Sequence, residues 1–280
     1  MSKLTIREYE SADIGSLTEL WLQNFTNDTA QFVGDFFRML RDMGTGLVAE
    51  VDGKLAGSAY VLCGQELILG QEDTLTEDND SAPVCGYIYA VSVDKSFRSL
   101  GIGAALVKAA AQKAKDRGAD IICTLPAEKS LYRWYEALIG VKCVLHRSRE
   151  VVKSAPMEMY MPLTSTEYML WRENMLSGRP HIHFSTPSLE FERKLCLDSG
   201  GGFYAAGCGI AAAYKSGDRG IIVELICTDE CERRIVAASI GDALGVKEVV
   251  LYSPSETGEP YIAADSNIIP KDCVWNLSYD

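Results

Sequence analysis

The fold is decided by the stretch Val84-Cys-Gly-Tyr-Ile-Tyr-Ala-Val-Ser-Val93, Asp94-Lys-Ser-Phe97 and Arg98-Ser-Leu-Gly-Ile-Gly103. The first segment is apolar and aromatic, which is typical of a buried strand. After Gly103, apolar residues recur at helical spacing until Arg117-Gly118, where a cation and a glycine are typical of a helix end. The stretch therefore predicts a strand, a short turn, a glycine-containing loop and a helix.

The loop from Arg98 to Gly103 has the composition of an anion site. A helix N-terminus presents free backbone N–H groups and the positive end of its dipole, so it attracts phosphate. Gly101 and Gly103 let the main chain approach a phosphate without a Cβ in the way, and Arg98 adds a cation. Glycines also begin helices for packing reasons alone, so the loop gains its meaning from the strand before it and the helix after it.

Two phosphate-binding motifs do not fit. A dinucleotide-binding fingerprint would need a third glycine where Leu106 stands, and no Walker lysine follows the loop. The segment instead resembles the acetyl-CoA-binding motif of the GNAT superfamily of N-acetyltransferases, in which an apolar strand leads into [Arg/Gln]-x-x-Gly-x-[Gly/Ala] and a helix. The resemblance covers roughly residues 3 to 163.

Further features support this resemblance. The dipeptide Asp52-Gly53 predicts a tight turn between two antiparallel strands. Later in the chain, the helical stretch Leu131-Tyr-Arg-Trp-Tyr-Glu-Ala-Leu138 is followed by Gly140-Val141, where GNAT proteins usually have Tyr-x-x-x-Gly-[Phe/Val]. One additional residue stands before the glycine here, so Tyr135 is the best match and Tyr132 is the rival.

The resemblance implies a site for acetyl-CoA as co-substrate. The backbone of one strand end would pair with the pantetheine arm, and the loop would wrap the pyrophosphate. Tyr135 would be the general acid that protonates the departing thiolate, a role that suits a phenol protonated at neutral pH. Core packing is the alternative for a tyrosine on an apolar stripe. The implied cofactor-binding residues are Val91, Ser92, Val93, Arg98, Ser99, Leu100, Gly101, Ile102, Gly103 and Ala104.

The general base that such a reaction would use is not evident. The strand from Val84 to Val93 has no acidic residue. The candidates are Glu50, an acid of the polar stretch from 72 to 80, a water relay, or no base at all if the substrate amine has a low pKa.

The second half of the chain repeats the order of elements of the first. Strands are predicted over 202–207, 210–215 and 221–227, a helix over 229–244 and a strand over 248–252, which suggests an internal duplication. At the place of a phosphate loop stands Cys227-Thr-Asp-Glu-Cys-Glu232, whose carboxylates would repel pyrophosphate. We therefore expect an α/β (α+β) protein: a GNAT domain at 1–163, with a mixed, mostly antiparallel sheet flanked by helices, followed by a smaller, degenerate GNAT-like domain at 164–280.

Composition limits the partners. The 280 residues carry 27 Lys and Arg against 39 Asp and Glu, for a net charge of −12, which disfavours nucleic acid and anionic membranes as partners. A cationic small molecule would be attracted, although acidity also serves solubility. The start of the chain lacks an apolar signal and no stretch is long enough to span a membrane, so a cytoplasmic location is expected.

Cysteine and histidine usage predicts no metal site. The nine cysteines are scattered through the chain and read as free, mostly buried thiols, as Cys63, Cys85, Cys123 and Cys143 do within apolar stretches. The pair His181 and His183 is interpreted as part of an alternating strand or loop.

The resulting expectation is an N-acetyltransferase that transfers an acetyl group from acetyl-CoA to a primary amine of a small molecule or peptide by direct attack. A homodimer is compatible with it. The alternative is an acyl-CoA-binding sensor or scaffold without catalysis, because no base is evident and Tyr135 is shifted by one residue.

Overall fold

The computed structural model describes residues 3–70 and 82–279. The acidic stretch 72–80, a candidate source of the base, lies outside the described residues. Contacts divide the chain into two compact units. The first comprises Met1–Gln65, Pro83–Val144 and Ile262–Ile268, and the second comprises Glu66–Ala82, Leu145–Tyr261 and Ile269–Asp280.

Both units alternate helices and strands. The helices are α1 (Ile14–Asn24), α2 (Ala30–Met43), α3 (Ile102–Asp116), α4 (Lys129–Ile139), α5 (Ser165–Met175), α6 (Thr186–Asp198) and α7 (Arg233–Ala243). The strands are β1 (Leu4–Glu8), β2 (Gly44–Val51), β3 (Lys54–Ile68), β4 (Val84–Val93), β5 (Ile121–Thr124), β6 (Lys142–Cys143), β7 (His146–Lys153), β8 (Tyr160–Leu163), β9 (His181–Phe184), β10 (Gly202–Ala206), β11 (Gly209–Ser216), β12 (Arg219–Cys227), β13 (Glu248–Ser255), β14 (Glu259–Pro260) and β15 (Ala263–Ala264).

The sheet of the first unit is mixed. Its strand order is β1-β2-β3-β4-β5-β15-β6. Strands β4 and β5 run parallel. The antiparallel pairs are β1–β2, β2–β3, β5–β15 and β15–β6. The predicted turn joins β2 to β3, with Asp52 at φ 51° and Gly53 at φ 77°, the left-handed pair that a two-residue hairpin needs.

The core of the first unit lies between this sheet and α3. The predicted apolar face of α3, including Leu106, Val107 and Ala110, is buried against β2, β3, β4 and β5. Helix α2, which the sequence analysis did not predict, begins at the cap Thr29, whose hydroxyl accepts from Phe32 N. The helical spacing of apolar residues from Asp13 to Phe25 predicts the preceding helix, which is confirmed as α1.

The sheet of the second unit repeats this arrangement. Its order is β14-β7-β13-β12-β11-β10-β8, with β12 and β13 as its parallel pair in the described registers. Helix α7 packs on β12 and β13 as α3 packs on β4. The predicted strands and helix of this half are confirmed, apart from small shifts of their ends.

The boundary between the units differs from the expected one at 163/164. Strands β7 and β8, expected in the first domain, pair with β13 and β10 of the second sheet. Conversely, the two-residue strand β15 lies between β5 and β6 of the first sheet. The stretch from Val141 to Arg147, which follows Gly140, is predicted from the sequence as one strand, but it is divided into β6 and the start of β7.

All nine cysteines are free thiols. Cys85 and Cys123 are buried, whereas Cys63 and Cys143 are only half-buried. Among the helices of the described residues, none combines the length and apolar character that a membrane crossing requires.

A buried ion pair organises the second unit. The Arg172 guanidinium donates from Nε to Glu224 Oε2 at 2.9 Å and from an Nη to Oε1 at 3.2 Å, and the Tyr168 hydroxyl donates to the same carboxylate at 2.8 Å. Arg172 is 1% exposed and Glu224 is fully buried. Arg172 also donates to the carbonyl of Ile182, so it links α5, β12 and β9.

We expect Arg172→Met to lower the free energy of unfolding by about 3–5 kcal/mol, because the Glu224 carboxylate would remain buried without its cation. The matched control is Arg234→Met, which removes the exposed pair between Arg234 and Glu150 and should cost less than about 1 kcal/mol. Chemical denaturation of both variants measures the difference. Equal losses would show that the buried pair has no special role.

Candidate active site in the first unit

The two central strands of the first unit separate after three paired positions. Strands β4 and β5 pair at Cys85↔Ile121, Gly86↔Ile122 and Tyr87↔Cys123. Strand β5 ends one residue later at Thr124, whereas β4 continues to Val93. Beyond Tyr87, the edge of β4 that faced β5 has no β5 partner among the described residues, and we call Ile88–Val93 the open part of β4.

A local distortion marks the open part of β4. Ala90 has a φ of 46°, a left-handed conformation that costs energy for a residue with a Cβ. Val91 and Val93 follow it and are half-buried, while the buried Ser92 hydroxyl lies 2.9 Å from that of Ser58 on β3. The three residues predicted to bind the pantetheine arm thus lie on the open segment, with Ser92 turned toward β3.

The predicted phosphate loop connects the open strand to α3. Asp94 caps a short 3-10 turn, Lys95–Phe97, by accepting from Ser96 N, and Arg98–Gly101 leads from that turn to the helix. Ser99 and Gly101 have φ values of 66° and 77°. Gly101 is the N-cap and supplies no side-chain acceptor, so the first N–H groups of α3, those of Ile102, Gly103 and Ala104, remain available to an anion.

Two contacts hold this loop in place. Arg98 donates from an Nη to Asn24 Oδ1 at 2.9 Å, which ties the exposed loop to the end of α1. A Cβ at Gly103 would stand 3.6 Å from Val93 Cγ2 and 3.9 Å from the Trp134 ring, so the helix start lies against both β4 and α4. Leu100 is exposed. Neither Asn24 nor Trp134 was among the residues predicted from the sequence.

Tyr135 lies where the two strands separate. Its hydroxyl lies beside the Thr124 side chain, and the Thr124 hydroxyl donates at 2.9 Å to the carbonyl of Ile88, the first β4 residue beyond the paired positions. Burial raises the pKa of Tyr135 to about 12, against the opposing effect of Thr124. The rival Tyr132 is half-buried and packs against the same core.

An aromatic cluster lies beside the other face of this region. Trp21 of α1 contacts Phe36, Tyr60 and Tyr89, with ring centroids 4.8, 5.5 and 6.0 Å apart. The Trp21 indole donates to Asp28 Oδ2 at 2.7 Å. Burial raises the pKa of the Asp28 carboxyl despite this hydrogen bond. The cluster is thus an apolar wall with one carboxylate, since Tyr89 belongs to the open part of β4.

Glu50, the base candidate from the sequence, occupies a different setting. Its carboxylate accepts from Arg7, and Arg7 also binds Asp13 in a bidentate pair. Glu50 therefore serves chiefly to join β1 and β2.

His181 and His183 lie in β9 of the second unit, consistent with an alternating strand. His181 Nε2 and His183 Nδ1 each lie 3.1 Å from Glu173 Oε2. Burial of Glu173 is outweighed by these hydrogen bonds and the Arg172 charge, which lower the pKa of Glu173 to about 2. Within residues 3–70 and 82–279, no cluster of His, Cys, Asp and Glu has the arrangement of a metal site.

Residues 11–140 match the model of the acetyltransferase (GNAT) family. This part of the chain is a GNAT domain. The match includes the open strand, the Arg98–Gly103 loop and Tyr135. The family is one of acetyltransferases. The predicted fold class, α/β (α+β) with a mixed sheet flanked by helices, is confirmed.

Solved GNAT structures share the fold of nearly the whole chain. A GCN5-related N-acetyltransferase from Kribbella flavida aligns with a TM-score of 0.67 and 14% identity, over 94% of this chain and 71% of that one. One from Anabaena variabilis aligns with a TM-score of 0.64 and 14% identity, over 94% of this chain and 72% of that one. One from Sphaerobacter thermophilus aligns with a TM-score of 0.52 and 14% identity, over 95% of this chain and 96% of that one. No match was found among the curated proteins.

We expect Thr124→Val to destabilise the GNAT domain by about 1–3 kcal/mol, because the Ile88 carbonyl would lose its buried partner. Thr124→Ser keeps the hydroxyl and is the matched control. Chemical denaturation measures both. If the Thr124→Val and Thr124→Ser variants were equally stable, the hydrogen bond from β5 to β4 would not be what holds the separating strands.

Proposed function

We propose that the protein is an N-acetyltransferase that uses acetyl-CoA and acetylates a primary amine of a small molecule or peptide. The single observation that carries this proposal is the position of Tyr135, beside Thr124 and Ile88 where β4 leaves β5. A donor that pairs with the open β4 edge and places its pyrophosphate on α3 would bring its thioester toward this hydroxyl.

The backbone supports donor binding. The main chain of the open part of β4, which carries Val91 and Val93, would offer hydrogen-bonding groups to an amide-containing pantetheine arm, as an added strand would. The uncapped start of α3 and the Arg98 side chain supply positive potential to the pyrophosphate. No metal is needed to hold phosphates in this arrangement.

Tyr135 supports the chemical step. The amine attacks the acetyl carbonyl, the tetrahedral intermediate collapses, the C–S bond breaks and the thiolate takes a proton. With a pKa of about 12, the Tyr135 hydroxyl carries its proton at neutral pH and can donate it. Thr124 is a positioning residue, because it acts through Tyr135.

For the amine we place the acceptor beside the aromatic cluster. Its rings and the Asp28 carboxylate would attract a cationic amine. The raised pKa of Asp28 also suits this carboxylate to accept a proton. Asp28 is therefore our candidate to take the amine proton, directly or through water.

The loop can be tested without disturbing the chemistry. We expect Gly101→Asp to abolish acetyl-CoA binding, because it adds a carboxylate at the phosphate position. Gly118→Asp is the matched control: both glycines have positive φ, 77° and 88°, and open space around the Cβ position, but Gly118 lies at the other end of α3. Calorimetric titration with acetyl-CoA measures both. Normal affinity in Gly101→Asp would show that the loop only begins the helix.

The acid can be tested by removing one oxygen atom. We expect Tyr135→Phe to lower kcat by about 100-fold or more while acetyl-CoA affinity stays near that of the unaltered protein. Tyr132→Phe is the control and should retain most of kcat. The assay follows CoA release with polyamines, amino acids, aminoglycosides and peptides as acceptors.

The outcomes of that assay separate the two functions. Full activity in Tyr135→Phe, or a loss confined to Tyr132→Phe, would remove Tyr135 from the mechanism. Acetyl-CoA binding without turnover of any amine would favour the sensor instead.

A further inference from the structure

The second unit repeats the turn that precedes the phosphate loop but not the loop itself. Strands β12 and β13 pair at Gly220↔Val249, Ile221↔Val250 and Ile222↔Leu251 and then separate. Seven residues beyond the last pair, Asp229 accepts from Cys231 N and caps the 3-10 turn Glu230–Glu232. Asp94 stands at the same distance from Tyr87 and makes the same cap.

The two units differ in the next residues. In the first unit Arg98–Gly101 separates the turn from α3, whereas in the second α7 begins at Arg233 directly after the turn. The segment that would wrap a pyrophosphate is therefore absent from this described part of the second unit. A nucleotide is not the ligand that this place would bind.

Arg233 bridges the separated strands instead. Its two Nη atoms donate to Leu225 O on β12 at 2.9 Å and to Ser253 Oγ on β13 at 2.7 Å. A guanidinium has five N–H groups, so three remain after these bonds. The Arg233 side chain is 17% exposed, and one of its Nη atoms also lies 3.8 Å from the exposed Glu230 carboxylate, too far for a hydrogen bond.

A cavity of about 540 Å³ opens at this bridge. It is formed within the second unit by the separated parts of β12 and β13, the start of α7 and the segment from Lys271 to Asn276. Its apolar lining includes Leu176, Ile226 and Val274. The volume is within the range of small-molecule sites.

Asn276 gives this cavity a polar group without a partner. The residue lines the cavity and is only 7% exposed. Its backbone carbonyl accepts from Tyr261, but its side-chain amide makes no hydrogen bond with any residue that the structure describes. A buried amide is costly unless it is satisfied, so its donor and acceptor groups are available to an occupant.

The charges around the cavity indicate the class of occupant. Arg179 and Lys271 supply cations, while Glu230, Glu256 and Asp272 supply carboxylates. Together with Arg233, the lining has three cationic side chains and three carboxylates. Such a lining favours a molecule that carries both a carboxylate and an ammonium group over a polyanion or a polycation.

We propose that this cavity is a second ligand site, distinct from the donor site, that binds a free amino acid or short peptide. The ligand's carboxylate binds the remaining Arg233 N–H groups, Asn276 hydrogen-bonds its polar backbone, and the acidic residues receive its ammonium group.

The test is a thermal-shift screen of the full chain with the free L-amino acids and a set of dipeptides, followed by calorimetry of each hit. We expect a hit that stabilises the protein, and we expect Asn276→Leu to weaken its binding about tenfold or more, as loss of a hydrogen bond to a charged or polar group does. The hit's N-acetylated form, which lacks the ammonium charge, should bind more weakly than the free form.

Two control measurements show whether a hit binds in this cavity or at the donor site. Gly101→Asp, altered in the first unit, should bind the hit normally, and Asn276→Leu should bind acetyl-CoA normally. Stabilisation that survives in Asn276→Leu but is lost in Gly101→Asp would overturn the proposal by locating the hit at the donor site. So would a screen without any hit in a protein that still binds acetyl-CoA.

Discussion

The separation of two parallel strands after three paired positions is the constraint on which the rest of the GNAT domain depends. A parallel pair that stayed closed would bury the edge of β4 in sheet hydrogen bonds. Because β5 ends at Thr124, β4 continues from Ile88 to Val93 without β5 beside it. In our proposal, the loop, α3 and Tyr135 act on one donor because they surround this part of β4.

In each unit, one side chain lies where the two parallel strands separate and joins them. In the first it is the Thr124 hydroxyl, which joins β5 to Ile88 of β4 and lies beside Tyr135. In the second it is a guanidinium, since Arg233 connects Leu225 to Ser253. In our two proposals, the neutral hydroxyl stands beside a phenol that donates a proton, whereas the charged bridge binds an anionic group.

The sequence predicted those parts whose physics is local. The Asp52-Gly53 turn, the apolar run of β4 and the amphipathic α3 follow from backbone preference and periodicity, and each is confirmed. The left-handed Ala90 and the role of Thr124 could not be predicted, because each depends on where β5 ends. Asp28 was missed because its raised pKa arises from burial against Trp21, a tertiary effect.

The unit boundary was missed for a reason that also bears on how the chain folds. Strand β15 has two residues and no pattern of its own, yet it pairs with β5 on one side and β6 on the other. Asp265, next to it, accepts from Ile122 N, so the start of β5 is fixed by a residue 143 positions later. A fragment ending at Leu163 would lack this strand, and β5 would lose a neighbour. Since Thr124 ends β5, the geometry at Tyr135 depends on residues far beyond the segment that carries the GNAT motif.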